Sequence, residues 1–198
     1  MLYFALPVCA QTKTLAPGLS RIEGTDSESG IAYTRILLEG KLLPSSPPAS
    51  ISPEHRPTPP PILTAQCTRR PSGKSFFELF ANYGGIEDNA FHRPWQPGDG
   101  GLFPPSTVKV KITMEFLGYT HVKPVIRQWE RLEFPSGQFR YNPPSRSSSN
   151  MEDSTYYLQY LKALPTLRLT YSGKAVEFLT TPLLDQIRKE PLCSASKL

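Results

Sequence analysis

Between Thr107 and Phe116 the chain alternates without a break: Val108, Val110, Ile112, Met114 and Phe116 are apolar, while Lys109, Lys111, Thr113 and Glu115 are polar. Successive side chains of a strand point to opposite faces, so this run is a strand with one face on a core and one in water. The rest of the fold must supply neighbours for it.

Two hairpins do so. Leu132 and Phe134 lead into Pro135-Ser136-Gly137-Gln138, and Phe139 and Tyr141 return; alternation on both sides of a short glycine-containing turn reads as paired strands. Val125 to Phe134 is read as strand for this reason, although Ile126, Trp129 and Leu132 also fall at helical spacing. Leu167, Leu169 and Tyr171, the turn Ser172-Gly173, then Val176 and Phe178 form the second hairpin.

Three segments read as helices. Ser75-Phe76-Phe77-Glu78 matches a capping box, and Gly84-Gly85 supplies a stop, which predicts a helix over 75–83. Ser154 begins a second helix that Pro165 ends. Thr181-Pro182 opens a third, with Leu183, Leu184 and Ile187 inward. The predicted fold class is α+β: an antiparallel sheet of about five strands with two or three helices packed on it.

Composition places this domain in the second part of the chain. The sequence holds 22 prolines among 198 residues, about twice the share of an ordinary soluble protein. Leu43 to Leu63 reads LPSSPPASISPEHRPTPPPIL, which cannot bury enough apolar surface to offset its ordering entropy. The expected organisation is a disordered proline-rich arm over 1–67, an α+β domain over 68–190 and a flexible tail over 191–198. Gly30 to Leu43 is a local exception that could form a short strand or docking element.

Cys9, Cys67 and Cys193 are far apart and odd in number, so neither a disulfide framework nor a zinc site is read, and a reducing compartment is expected. No run approaches the roughly 18 apolar residues of a membrane-spanning helix. Met1 to Ala10 is apolar but lacks a positive segment and contains Pro7, so no secretory signal is read there.

Catalytic motifs are not legible. Gly73-Lys74-Ser75 lacks the second glycine and the preceding strand of a phosphate loop. His55, His92 and His121 have no local ligand pair, and Glu130 and Glu133 alternate with Arg127 and Arg131 as cross-strand ion pairs would. No catalytic residue, cofactor or metal is assigned.

Binding is better represented. The net charge is +5, and the whole excess lies after Cys67. Lys109, Lys111, Arg127, Arg131 and Arg140 could share the wet sheet face as a positive strip for phosphate or an acidic protein. The long loop from Asn89 to Pro105 brings Phe91, His92, Arg93 and Trp95 as a candidate partner-binding loop. Arg56 and the prolines after it suit a polyproline II helix. Ser196-Lys197-Leu198 is the tripeptide read by the peroxisomal import receptor. The expected function is a non-catalytic protein-interaction or adaptor module with a protein partner. The alternatives are a peroxisomal enzyme or accessory factor, and a nucleic-acid-binding protein using a basic sheet face. Localisation is expected to be intracellular, in the peroxisomal matrix if the tripeptide is read and otherwise in cytoplasm or nucleus.

Overall fold

The alternating run becomes β7 (Ser106–Leu117) in the computed structural model, with Val110, Ile112, Met114 and Phe116 buried and Lys111 exposed. The structure describes residues 11–26, 29–44, 60–82, 106–118, 125–133, 139–143, 155–171 and 173–194. On one side β7 pairs with β8 (Val125–Glu133), Val110 opposite Trp129. On the other it pairs with β10 (Thr166–Tyr171), Leu167 opposite Phe116 and Leu169 opposite Met114. Both expected hairpin pairings form. β8 pairs with β9 (Phe139–Asn142), and β10 with β11 (Lys174–Leu179). The turn residues 134–138 and Ser172 lie outside the described residues. Helix α1 (Thr155–Ala163) stops before Pro165, and α2 (Thr181–Lys189) has Pro182 in its first turn and buries Leu183, Leu184 and Ile187.

The α+β expectation is overturned by the strands it left out. Among the described residues the chain forms one antiparallel sheet of 11 strands, with only short helices. The expected helix over 75–83 is strand β6 (Ser75–Asn82). Its S-x-x-E pattern is a local signal worth little beside a full ladder to β5 (Ile62–Arg69), which runs from Arg69 opposite Ser75 to Ile62 opposite Asn82. Phe77, Leu79 and Ala81 enter the core, while Phe76 and Phe80 face the other side. Apolar residues on both faces leave this strand without a clean alternation.

The expected disordered arm over 1–67 also contains strands: β1 (Gln11–Ala16), β2 (Leu19–Thr25), β3 (Ala32–Glu39) and β4 (Lys41–Leu42), besides most of β5. Pro17-Gly18 is a hairpin turn, with Gly18 at φ 69°. The proline-rich 45–59 lies outside the described residues and connects β4 to β5.

The sheet order is β1-β2-β3-β5-β6-β9-β8-β7-β10-β11-β4. Because β4 continues β3 through Gly40, the last strand is also the third, and the sheet closes on itself as a barrel with the β1–β2 hairpin outside the ring. Gly40 N–H donates to Pro61 O (2.7 Å) on one side, and Leu43 N–H to Ala175 O (2.9 Å) on the other. The junction needs glycine: a Cβ would lie 2.5 Å from Phe178 Cε1 and 2.9 Å from the Glu177 carbonyl oxygen. The rings of Tyr141 on β9 and Tyr171 on β10 lie 5.6 Å apart across the interior, although two strands separate them in the sheet.

The helices sit on the inner face. Phe116 stacks on Tyr160 of α1, and α2 contacts β3. Glu190, after α2, is 6% exposed and accepts from Arg21 Nε (2.7 Å) and Thr34 Oγ1 (3.4 Å). The hydrogen bond from Arg21 to Glu190, with a lesser one to Glu23, raises the Arg21 guanidinium above its ordinary pKa. Helix α3 (Pro191–Ser194) then presents Cys193, which is disulfide-bonded to Cys67 of β5. The expectation of unpaired cysteines and a free tail from 191 fails here. The pairing was hidden because Cys67 and Cys193 are 126 residues apart and only barrel closure brings β5 to the last helix.

Candidate functional site

Strand alternation decides where the expected basic strip goes. Lys109 lies opposite Glu130 and Lys111 opposite Gln128, whereas Arg127 lies opposite Ile112 and Arg131 opposite Val108. Lys109 and Lys111 therefore share the outer face, while Arg127 and Arg131 belong to the inner one, where Arg131 is 7% exposed. Arg140 is the backbone partner of Leu132. The five residues do not form one strip. Phe91, His92, Arg93 and Trp95, and likewise Ser196, Lys197 and Leu198, lie outside the described residues.

A different basic cluster is assembled where two hairpins meet. The β2–β3 turn is held by Asp26, whose Oδ1 accepts from Ser29 N–H (2.8 Å) and Ser29 Oγ (2.7 Å). The β5–β6 turn is closed by Arg70 N–H to Lys74 O and Gly73 N–H to Arg70 O, both 2.9 Å, with Gly73 at φ 82°. Gly30 of the first turn comes against Pro71 of the second. Between them opens a cleft of about 280 Å³, lined among others by Tyr33, Arg35, Gln66, Thr68, Arg70 and Glu78.

The outer face of β3, β5 and β6 forms its floor. The register sets Tyr33, Thr68 and Phe76 in one row and Arg35, Gln66 and Glu78 in the next. Arg35 Nε donates to Gln66 Oε1 (2.5 Å), and Gln66 Nε2 donates to Glu78 Oε2 (2.7 Å). Gln66 and Thr68 are each 8% exposed, so the floor is polar yet shielded.

Aromatic rings back the cations. The Arg35 guanidinium lies 4.9 Å from the Tyr33 ring centroid, and Arg70 and Lys74 lie 5.1 and 5.0 Å from that of Phe76. Such contacts hold long side chains in place without neutralising them. No carboxylate partners Arg35 or Lys74 among the described residues. Outer-face Arg168 is different: it pairs with Glu177 and Glu115. The cleft is thus lined by two guanidinium groups, Arg35 and Arg70, and by two carboxylates, of which Asp26 also holds the β2–β3 turn and Glu78 accepts from Gln66.

Sequence reading passed over this site for a definable reason. Arg69-Arg70 and Lys74 are the densest basic run, flanking a Pro-Ser-Gly turn signal, but Arg35 and Tyr33 come from the segment read as disordered. Fold and site together define a closed antiparallel β-barrel bearing a polar cleft at one rim, in which Arg35 and Arg70 are backed by aromatic rings. Compared with known proteins, the chain matches no family model, no curated protein and no solved structure, so the functional reading rests on these residues.

Proposed function

We propose that the protein is a non-catalytic interaction module that takes an acidic segment of a protein partner into the cleft between the β2–β3 and β5–β6 turns. The carrying observation is Arg35, which lines the cleft over the Tyr33 ring with no carboxylate partner among the described residues, beside Arg70 and Lys74 of the second hairpin over the Phe76 ring. An extended acidic peptide supplies carboxylates for the cations and backbone groups for Gln66 and Thr68. A protein partner is favoured over nucleic acid because the cations are confined to one small cleft. A backbone-tracking strip is not supported, since Lys109 and Lys111 are interleaved with Glu115 and Glu130 on their face.

The buried disulfide supports an oxidising compartment. It argues against the reducing interior expected from the sequence and against import through Ser196, Lys197 and Leu198.

The test is fluorescence anisotropy with a labelled peptide of alternating Glu and Ser. Arg35→Ala and the Arg70→Ala/Lys74→Ala pair should each weaken binding about 10-fold or more, since a hydrogen bond to a charged group is worth about 1.5–3 kcal/mol. Lys109→Ala/Lys111→Ala, an equal charge change on the outer face of β7, should leave affinity within about 2-fold. Equal losses from both double variants would reduce the effect to net charge and reject the cleft. Stronger binding of a single-stranded oligonucleotide of the same charge would favour the nucleic-acid reading instead.

A further inference from the structure

Strand β1 stands at one end of the strand order. It pairs with β2 along one side, and no strand lies along its other side among the described residues. The ring is closed through β4, which pairs with β11, so closure leaves this edge of the β1–β2 hairpin open. The backbone N–H and C=O groups of such an edge are a template for another strand. A register shift between Thr14 and Ala16 confines the regular ladder to Gln11–Thr14, and these four residues are all exposed.

Charge decides what adds there. Lys13 lies directly opposite Arg21, and like charges in that position repel. Arg21 is satisfied by Glu23 and Glu190. Lys13 has no carboxylate partner among the described residues. A residue placed opposite Lys13 by an incoming strand would come as close to it as directly paired residues do, about 4.5–5.5 Å between Cβ atoms. A carboxylate there offsets the repulsion from Arg21, and a cation adds to it. A second copy of the chain does not meet this need: Gln11–Ala16 reads QTKTLA, so β1 against β1 gives Lys13 only neutral or like-charged neighbours. Lysine on an edge strand deters indiscriminate pairing, and it turns selective when the incoming strand carries the matching charge.

We propose that the open edge of β1 is a docking site for an extended segment of a partner protein, which adds to the sheet as a further antiparallel strand with a glutamate or aspartate opposite Lys13. Main-chain hydrogen bonds to Gln11–Thr14 supply the attachment, and the carboxylate fixes the register. Residues such as valine and threonine on either side of the acid suit the extended backbone. This site is independent of the cleft in its residues and in its mode of binding, which is a backbone ladder and not a pocket for side chains.

The experiment is a nitrogen–proton correlation spectrum of the full chain titrated with three end-capped peptides: Thr-Val-Thr-Glu-Thr-Val, the same peptide with Lys in place of Glu, and a copy of the first that is N-methylated at every backbone amide. The Glu peptide should move the amide signals of Gln11–Thr14 saturably, with affinity about 5-fold or more above that of the Lys peptide. The N-methylated copy keeps the charge and removes the backbone donors, and it should move none of them. Lys13→Ala, at an exposed position, should bring the Glu and Lys peptides within about 2-fold of each other, while Arg35→Ala in the cleft should leave the β1 shifts unchanged. The proposal is overturned if no β1 amide responds at millimolar peptide, if the N-methylated copy binds as well, or if the preference for Glu persists undiminished in Lys13→Ala. Shifts of β1 that follow protein concentration without peptide would also overturn it, by giving the edge to a second copy.

Discussion

Reduction of the Cys67–Cys193 disulfide should cost a large part of the protein's stability without changing its packing. The cross-link joins residues 126 apart, and chain entropy assigns a loop of this size about 5 kcal/mol, with measured losses of about 2–5 kcal/mol. Both sulfurs are buried, Cys67 at 0% and Cys193 at 1% exposure. Free thiols can occupy the same space, so comparing one chain in two redox states isolates the cross-link from the cavity that substitution would leave. Urea titrations followed by far-UV circular dichroism, with and without a phosphine reductant, supply the measurement. With a slope of about 2 kcal/mol/M, the midpoint should fall by about 1–2.5 M. A thiol assay of the unreduced, denatured protein should find Cys9 reactive and Cys67 and Cys193 blocked. Coincident midpoints, together with three reactive thiols, would refute the cross-link and with it the support for an oxidising compartment.

Ile112→Ala should cost about 2–5 kcal/mol, because the side chain is fully buried on β7, while exposed Lys111→Ala should cost under about 0.5 kcal/mol; chemical denaturation compares them. Gly40→Ala should lose about 1–3 kcal/mol through the contact with Phe178 and the Glu177 backbone, and an unchanged melting temperature would remove the closure argument. Glu190→Ala should cost about 2–3 kcal/mol, less than the ~3–5 typical of a fully buried pair, since Arg21 keeps Glu23 at 2.6 Å. Glu190 raises the Arg21 pKa, so Arg21's stabilisation is present below the ordinary arginine range and is lost only above it; melting at about pH 7 and pH 10 should show no loss from this pair. Deleting residues 1–44 should abolish the cooperative transition, because β1–β4 go with it; a persisting transition would return these residues to the role of a dispensable arm.

The sequence by itself determined the elements whose signals are local. The alternation of Thr107 to Phe116, the glycine turns flanked by paired alternation, and Pro165 and Pro182 at helix limits each reflect constraints acting within a few residues. Tertiary structure decided the remainder. Ser75 to Asn82 is a strand because β5 offers it a complete ladder, and no local cap competes with that. Arg21 sits on an inward face where an apolar residue would ordinarily announce a strand, and Glu190, 169 residues away, supplies its buried partner there. The cleft draws Arg35 from one hairpin and Arg70 from another, and the disulfide joins the fifth strand to the last helix. These juxtapositions follow from closing the sheet at Gly40, a non-local event: the steric demand of Phe178 and Glu177 on one glycine appears nowhere in the residues beside it.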